Sequence, residues 1–395
     1  MSIQSLKPGW KMAKFGELVK NANFVERDPE ANGVDRIVGL EHIDPENLHI
    51  RRWNCVADGT SFTRKFVPGQ TLFGKRRAYQ RKVAYAEFEG ICSGDILTFE
   101  PKNRKVLLPE LLPFVCQSDA FFNHALDTSA GSLSPRTSWT ALKDFEFPLP
   151  PPDEQKRIAE ILWAADEATQ KYKESLKALT AFKSQALRVS LRHESTNEVS
   201  CGELYGILPR NGFSPKTNAS EVGCPTLSIG AVRDGKVYPN GNTKYAEISS
   251  SDLEKFRLMS GDILVVRGNG NKTLCGKAGL VSEIPEDCFY PDLLIRIAFD
   301  EKKILPAFAV EQWNDPLTHS KLLAFAKSTN GIWKINGKDL RQHRLLVPDL
   351  DVQKEIVNQL SVISASEEAL SNHIEVLLGL QRQIANDVTK ETTHV

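Results

Sequence analysis

Two proline-led segments of this chain begin alike and continue alike. Residues 148–162 read PLPPPDEQKRIAEIL, and residues 346–360 read LVPDLDVQKEIVNQL. They superpose at an offset of 198, setting Gln155-Lys156 on Gln353-Lys354, Ile158 on Ile356 and Leu162 on Leu360. The match runs on without a gap. Ile158, Leu162, Ala165, Tyr172, Leu176, Leu179 and Ala186 fall on Ile356, Leu360, Ile363, Leu370, Ile374, Leu377 and Ile384. The apolar steps alternate between four and three residues, and a polar residue, Thr169 or Glu367, sits at the same skipped place. Such a repeat, held for about four heptads, predicts a coiled-coil seam on two long helices. An internal duplication also decides the architecture before any single motif does.

Asp153 and Asp351 are the expected N-caps. Lys156 and Lys354 occupy the place where a full capping box needs Glu or Gln. The spacing predicts helices over 153–191 and 351–388, rods of roughly 50–60 Å at about 1.5 Å per residue.

The segments before the helices correspond more weakly. Gly16-Glu17-Leu18 resembles Gly202-Glu203-Leu204, and Val67–Leu72 resembles Met259–Leu264. Asp95-Ile96-Leu97 and Leu108-Pro109 match Asp292-Leu293-Leu294 and Leu305-Pro306 at an offset of 197. The identical strings SGDIL at 93–97 and 260–264 are a decoy, because their offset of 167 fits nothing else. Runs such as Gly261–Arg267 and Asp292–Ala298 read as strands between turn residues, and 109–126 and 305–327 have helical spacing. The expected fold is α+β: globular domains at 1–150 and 194–348, each followed by a long helix, at 151–193 and 349–395.

Charge narrows the function. The 50 basic and 50 acidic residues cancel, so nucleic-acid binding would have to come from local patches. Seven cysteines form no CxxC pair, which argues against a zinc ribbon or dithiol motif and for reduced thiols in a cytoplasmic protein. No run of eighteen apolar residues occurs, and residues 1–18 lack a signal-peptide core, so no membrane association is expected.

One local patch is conspicuous. Residues 74–82, GKRRAYQRK, hold five basic residues and no acid. Lys75, Arg76, Arg77, Arg81 and Lys82 suit phosphates, and Arg side chains with Gln80 suit base edges; Tyr79 lies among them. A solvated surface turn is the competing reading. The repeat-equivalent stretch, Arg267-Gly268-Asn269-Gly270-Asn271-Lys272-Thr273, is also polar and also follows a strand. That recurrence favours two readers of related ligands with different sequences. Arg267, Asn269, Asn271 and Lys272 are the candidates there. Weaker candidates are Ser132, Ser134, Arg136 and Thr137, with Asn330, Trp333 and Lys334 as their parallels; for these a plain connecting loop is the favoured reading.

Enzyme motifs fail on inspection. Residues 270–278, GNKTLCGKA, have one residue too many for a P-loop and Ala where Ser or Thr should hold magnesium. Glu154-Gln155-Lys156 resembles a nuclease ExK, but its second copy reads Val-Gln-Lys. No Asn-Pro-Pro-Tyr-like motif, glycine-rich SAM loop, metal-ligand spacing or Ser–His–Asp set can be assembled. No catalytic and no metal residues are assigned.

Two α+β domains, each closed by P-x-x-x-x-Q-x-x-I and a heptad helix, resemble the DNA-specificity (S) subunit of type I restriction–modification systems. The resemblance spans essentially the whole chain, strongest at Leu149–Leu162 and Val347–Leu360. It implies two target recognition domains, each reading one half of a bipartite double-stranded DNA site, and two spacer helices packed as an antiparallel coiled coil. Ile158, Leu162, Tyr172, Leu176, Leu179, Ile356, Leu360, Ile363, Leu370, Ile374, Leu377 and Ile384 would form the seam. It further implies docking of two methyltransferase (M) subunits, with room for motor-nuclease (R) subunits. The subunit itself binds no cofactor directly, SAM and ATP belonging to the partners. Asp-Val-Gln-Lys at the second helix departs from the usual Asp-Glu-Gln-Lys. The readings that compete are a coiled-coil scaffold with two protein-binding domains and a stand-alone nuclease.

Overall fold

A computed structural model describes residues 6–390, apart from Ser132 and Ala219 and the side chain of Thr329. The chain forms two compact units. The first comprises the chain up to Glu174 together with that from Leu370; the second is Ser175–Ala369. Each unit therefore contains one globular region and half of each long helix.

In the first unit an antiparallel sheet takes the strand order Val19–Asn21, Ile96–Pro101, Thr71–Gly74, Val83–Tyr85. Its inward face is aromatic. Phe15, Phe73, Phe99 and Phe121 pack with ring centroids 5.0–5.8 Å apart, under the helices Leu112–Gln117 and Asp119–Asp127. A five-stranded sheet, Phe24–Val25, Arg64–Phe66, Gly90–Cys92, Arg36–Val38, Asn54–Cys55, completes the region. The second unit repeats the central pattern: Leu294–Phe299 lies between Tyr205–Asn211 and Ile263–Val266, beneath Pro306–Asn314 and Pro316–Leu323. Its core is built on Ile263, Val265, Ile295, Ile297, Phe308 and Trp313.

The duplication is visible in the ladders. Lys11 pairs with Leu149 as Asn197 pairs with Val347, and Gly74 pairs with Ile96 as Val266 pairs with Leu294. The second comparison corrects an expectation. Residues 95–97 correspond to 293–295 and not to 292–294; the one-residue difference is taken up in the loop that follows, before Leu108 and Leu305. The SGDIL strings do lie on non-equivalent strands, Ile96–Pro101 and Ile263–Val266.

The long helices span Pro152–Ser190 and Leu350–Thr389. Asp153 and Asp351 are not their caps. The carbonyls of Pro151 and Asp349 accept the first helical hydrogen bonds, from Gln155 and Gln353. Both acids lie inside the first turn, where they face the positive end of the helix dipole. Pro152 supplies a preset φ at the first helical position of one of them.

Within each unit the helix halves run antiparallel. In the first, Gln381 Nε2 donates to the Leu162 carbonyl (3.0 Å), and Tyr172 packs on His373 at 5.4 Å. In the second, Thr180 Oγ1 donates to Glu367 (2.6 Å), while Leu187 and Leu191 share a buried cluster with Ile356 and Leu360. The seam residues divide by depth. Leu162 is buried in the first unit's core with Ile158 and Ile384 packed on it, and Ile363 packs on the second unit's core. Tyr172, Leu176, Leu179, Leu370, Ile374 and Leu377 are half-buried.

The repeated glutamine is the joint between helix and globular region. Gln155 is fully buried. Its Nε2 donates to the carbonyls of Val106 and Pro150 (both 2.8 Å), and its Oε1 accepts from Leu108 N (3.0 Å). Gln353, equally buried, does the same with Lys303 (3.1 Å), Pro348 (2.8 Å) and Leu305 (2.8 Å). One side-chain amide thus fastens the loop, the proline exit and the first helical turn in each unit. The first unit has a further fastening. His49 meets Asp166 of the first long helix at 2.6 Å and Glu87 at 2.9 Å, and the Asp166 hydrogen bond raises the imidazole pKa.

Candidate nucleic-acid interface

Residues 74–82 form the connection between strands Thr71–Gly74 and Val83–Tyr85, with a 3₁₀ turn at Ala78–Gln80. Arg77 and Arg81, on either side of that turn, are left-handed, with φ of 54° and 52°. A second segment comes against this hairpin. Arg76 and Arg136 form a backbone bridge, and Arg136 pairs in turn with Ala130. The side chains interlock as well, since Ser134 Oγ accepts from Arg76 (3.3 and 3.2 Å) and from Arg77 (3.2 Å).

The candidates of the first unit fare differently. Arg77 is exposed, and Tyr79 is 55% exposed. Arg76 and Arg136 share the carboxylate of Asp95, at 3.6 and 3.1 Å. Burial, and then the nearby Arg64, lower the pKa of Lys75, with Arg136 acting in the same direction. Gln80 is half-buried in the 3₁₀ turn. Lys82 and Arg81 turn into the fold: Lys82 Nζ donates to the Leu40 carbonyl (2.6 Å), and Arg81 is held by Asp119 (2.8 Å). Thr137 is buried, and Ser132 lies outside the described residues.

The second unit makes the same join with different chemistry. Gly268–Asn269 pairs with Ile332–Lys334, in the register Gly268 to Lys334 and Asn269 to Trp333. Ile332–Lys334 is one arm of a hairpin with Lys327–Thr329, turned at Asn330 (φ 51°) and Gly331 (φ 76°). That explains Asn330, because an Asn-Gly pair is favoured where both turn residues need positive φ. Lys272 Nζ lies 4.4 Å from the Trp333 ring centroid, a cation–π contact at the surface. The oxygens of Asn269 and Asn271 stabilise the loop itself, accepting from Asn271 N (2.9 Å) and Thr273 N (3.0 Å). Arg267 Nη1 donates to the Asp292 carbonyl (3.1 Å), and Lys334 is exposed.

Both units therefore join a strand-following loop to a segment some sixty residues further along. The sequence marks the two segments separately; only the bridges make each pair one surface. Asp95 and Asp292, which orient the arginines, stand in the repeated strings at 95–97 and 292–294, but nothing in those strings marks them as arginine partners.

Residues 9–181 match a family model described as the type I restriction modification DNA specificity domain. The chain is 28% identical over 306 residues to the type I restriction enzyme EcoKI specificity subunit of Escherichia coli K12, covering 72% of this chain and 66% of that one. It is 27% identical over 177 residues to the putative type I restriction enzyme MjaX specificity subunit of Methanocaldococcus jannaschii, covering 44% and 41%. The matches thus span less than two thirds of either relative's length. Among solved structures, the type I restriction–modification S subunit from M. genitalium superposes with a TM-score of 0.58 at 14% identity, covering 98% of this chain and 99% of that one. A chain from a type I R-M system, solved for its complex assembly and conformational transition, gives 0.52 at 19% identity, covering 97% and 98%. At these identities the likeness carries the fold.

Proposed function

We infer that this chain, a member of the type I restriction–modification DNA-specificity family, acts as the target-reading subunit of such a complex. Each globular region reads one half of a bipartite double-stranded DNA site. The observation that carries this reading is the recurrent join of two loops, Arg76 to Arg136 in one unit and Gly268 to Lys334 in the other. Equivalent scaffolds bearing different side chains suit two half-sites of different sequence. Arginines and lysines there neutralise phosphates, and the planar donors address base edges.

The remaining roles follow from this reading. The chain is non-catalytic, and the chemistry of SAM and ATP belongs to partner subunits. The long helices set the gap between half-sites and dock two methyltransferase subunits, with motor-nuclease subunits joining in a complete restriction complex. Exposed apolar side chains on the helices, Ile161, Val376 and Leu380 in the first unit and Phe182 and Val362 in the second, offer such partners apolar surface. No helix among the described residues is long and apolar enough to cross a membrane, and a cytoplasmic location fits a reader of DNA.

The test uses duplexes that the full-length chain enriches from a randomised pool. Arg76→Ala with Arg77→Ala is expected to cost about 1–3 kcal/mol of affinity per lost contact at the first half-site and to leave discrimination at the second intact. Arg267→Ala with Lys272→Ala is expected to do the converse. Unchanged affinity across a salt series in both variants would remove these loops from the interface.

A further inference from the structure

Arg81 stands in the basic hairpin, yet its guanidinium points away from it. Nη1 meets Asp119 Oδ1 at 2.8 Å, Nη2 donates to the Gln117 carbonyl at 2.6 Å, and Nε lies 3.4 Å from Glu46 Oε1. The group also stacks over Phe122 at 4.4 Å. Both carboxylates are held a second time, from the C-terminal long helix. Arg382 Nη2 meets Glu46 Oε1 at 2.6 Å. Asn386 accepts from Asp119 N and donates to Asp119 Oδ2, each at 2.7 Å. Two cations and two carboxylates close a neutral network, so the charge of Arg81 is matched inside the protein and not offered to phosphate.

The carbonyls of Lys82 and Lys277 are equivalent in the ladder, accepting from Gly74 N and Val266 N, so Arg81 corresponds to Gly276. Gly276 has φ of 79° and Arg81 has 52°. Where one unit uses the residue that tolerates this conformation freely, the other holds an arginine there against its steric preference. In addition, Ser184 and Arg188, the repeat partners of Arg382 and Asn386, grip Asp315 at 2.7 and 3.0 Å. Asp315 caps its short helix as Ser118 caps the one that begins at Asp119. The second unit fastens the cap itself to a long helix, the first unit fastens the residue after its cap, and the first unit extends that fastening through Arg81 into the hairpin.

We propose that Arg81 is a positioning residue: a strut that fixes the reading hairpin of the first unit to the C-terminal long helix, through Asp119–Asn386 and Glu46–Arg382, without touching DNA. The proposal rests on the reading of that hairpin as a DNA contact. Its consequence is that residues of the helix, remote in sequence from the hairpin, control how well the first half-site is read.

The experiment measures binding of the full-length chain to the duplex it enriches from a randomised pool and to a scrambled duplex, over a salt series. Arg77→Ala, a lost phosphate contact, should lower the log–log salt slope by roughly 0.9 on both duplexes. Arg81→Met should keep the wild-type slope and weaken only the enriched duplex, about tenfold. Arg382→Met leaves the hairpin sequence untouched and should weaken the same duplex, also with an unchanged slope. The double variant Arg81→Met/Arg382→Met should lose no more than the larger single loss, since members of one network are not additive. A slope that falls by about one in Arg81→Met would make Arg81 a phosphate contact and overturn the proposal. So would wild-type affinity in Arg382→Met, or strictly additive losses in the double variant. Failure of the wild-type chain to enrich any duplex would instead overturn the functional reading beneath it.

Discussion

Replacing Gln155 by Leu keeps the side chain's approximate volume and removes its amide. Three backbone groups then lose their partner: the carbonyls of Val106 and Pro150 and the N–H of Leu108. At the low end of the usual cost of orphaning a buried polar group, about 1 kcal/mol each, the first unit loses about 3 kcal/mol. For a unit of roughly 200 residues this lowers the melting temperature by roughly 6–12 °C. Gln155→Glu is the sharper substitution. It is nearly isosteric, but it turns a donor into a carboxylate oxygen aimed at two carbonyls in a fully buried place. At neutral pH it should cost more than the Leu variant, about 3–5 kcal/mol, as an uncompensated buried charge does. Urea unfolding reads both, and hydrogen exchange at Leu108 reports the site itself. Gln353→Leu should deprotect Leu305 in the same manner. If the Glu variant is as stable as wild type at neutral pH, or if the Leu variant leaves Leu108 protected, the glutamine fills space and does not fasten the joint.

The His49 tie makes the stability of the first unit depend on pH. Its folded pKa is raised, chiefly by the hydrogen bond to Asp166. Its contribution is therefore full below the unfolded value of about 6.5 and is lost as pH rises through the folded value. In urea unfolding, the difference between wild type and His49→Gln should shrink from pH 6 towards pH 9; a difference that stays constant would refute the tie. Asp166→Asn removes the principal cause of the raised pKa and should bring the imidazole titration, followed by NMR, down towards its ordinary value. An unmoved titration would assign the shift to Glu87.

Periodicity carries information about burial and none about what does the burying, which explains how much was legible. The heptads locate both long helices within a residue or two of Pro152–Ser190 and Leu350–Thr389. They do not separate Leu162 and Leu360, sunk in globular cores, from Tyr172 and Leu176, half-buried along the helix pair, because both situations ask for the same apolar spacing. Both caps lie two residues before Asp153 and Asp351; the sequence does not separate the two places, because an acid in the first turn and an acid at the cap answer to the same dipole. Gln155 and Gln353 look like surface residues by type; their burial depends on carbonyls some fifty residues away and on the proline exits. The candidate interface was half legible. Each loop declares itself by its polarity, but the bridges from Arg76 to Arg136 and from Gly268 to Lys334 are non-local. Composition also overcounted the hairpin, since Arg81 carries the same charge as Arg77 and directs it inward.

The proposed function requires the long helices to set the gap between the two half-sites. It is tested most directly by selecting duplexes from a randomised pool with the wild-type chain, in complex with its co-expressed methyltransferase subunits, and with a chain lacking one heptad within 165–186 and the matching heptad of the second helix. Two short defined half-sites are expected in both selections, identical in sequence, with a different length of undefined DNA between them. Half-sites that change with the deletion, or a single uninterrupted target from the wild-type complex, would contradict it.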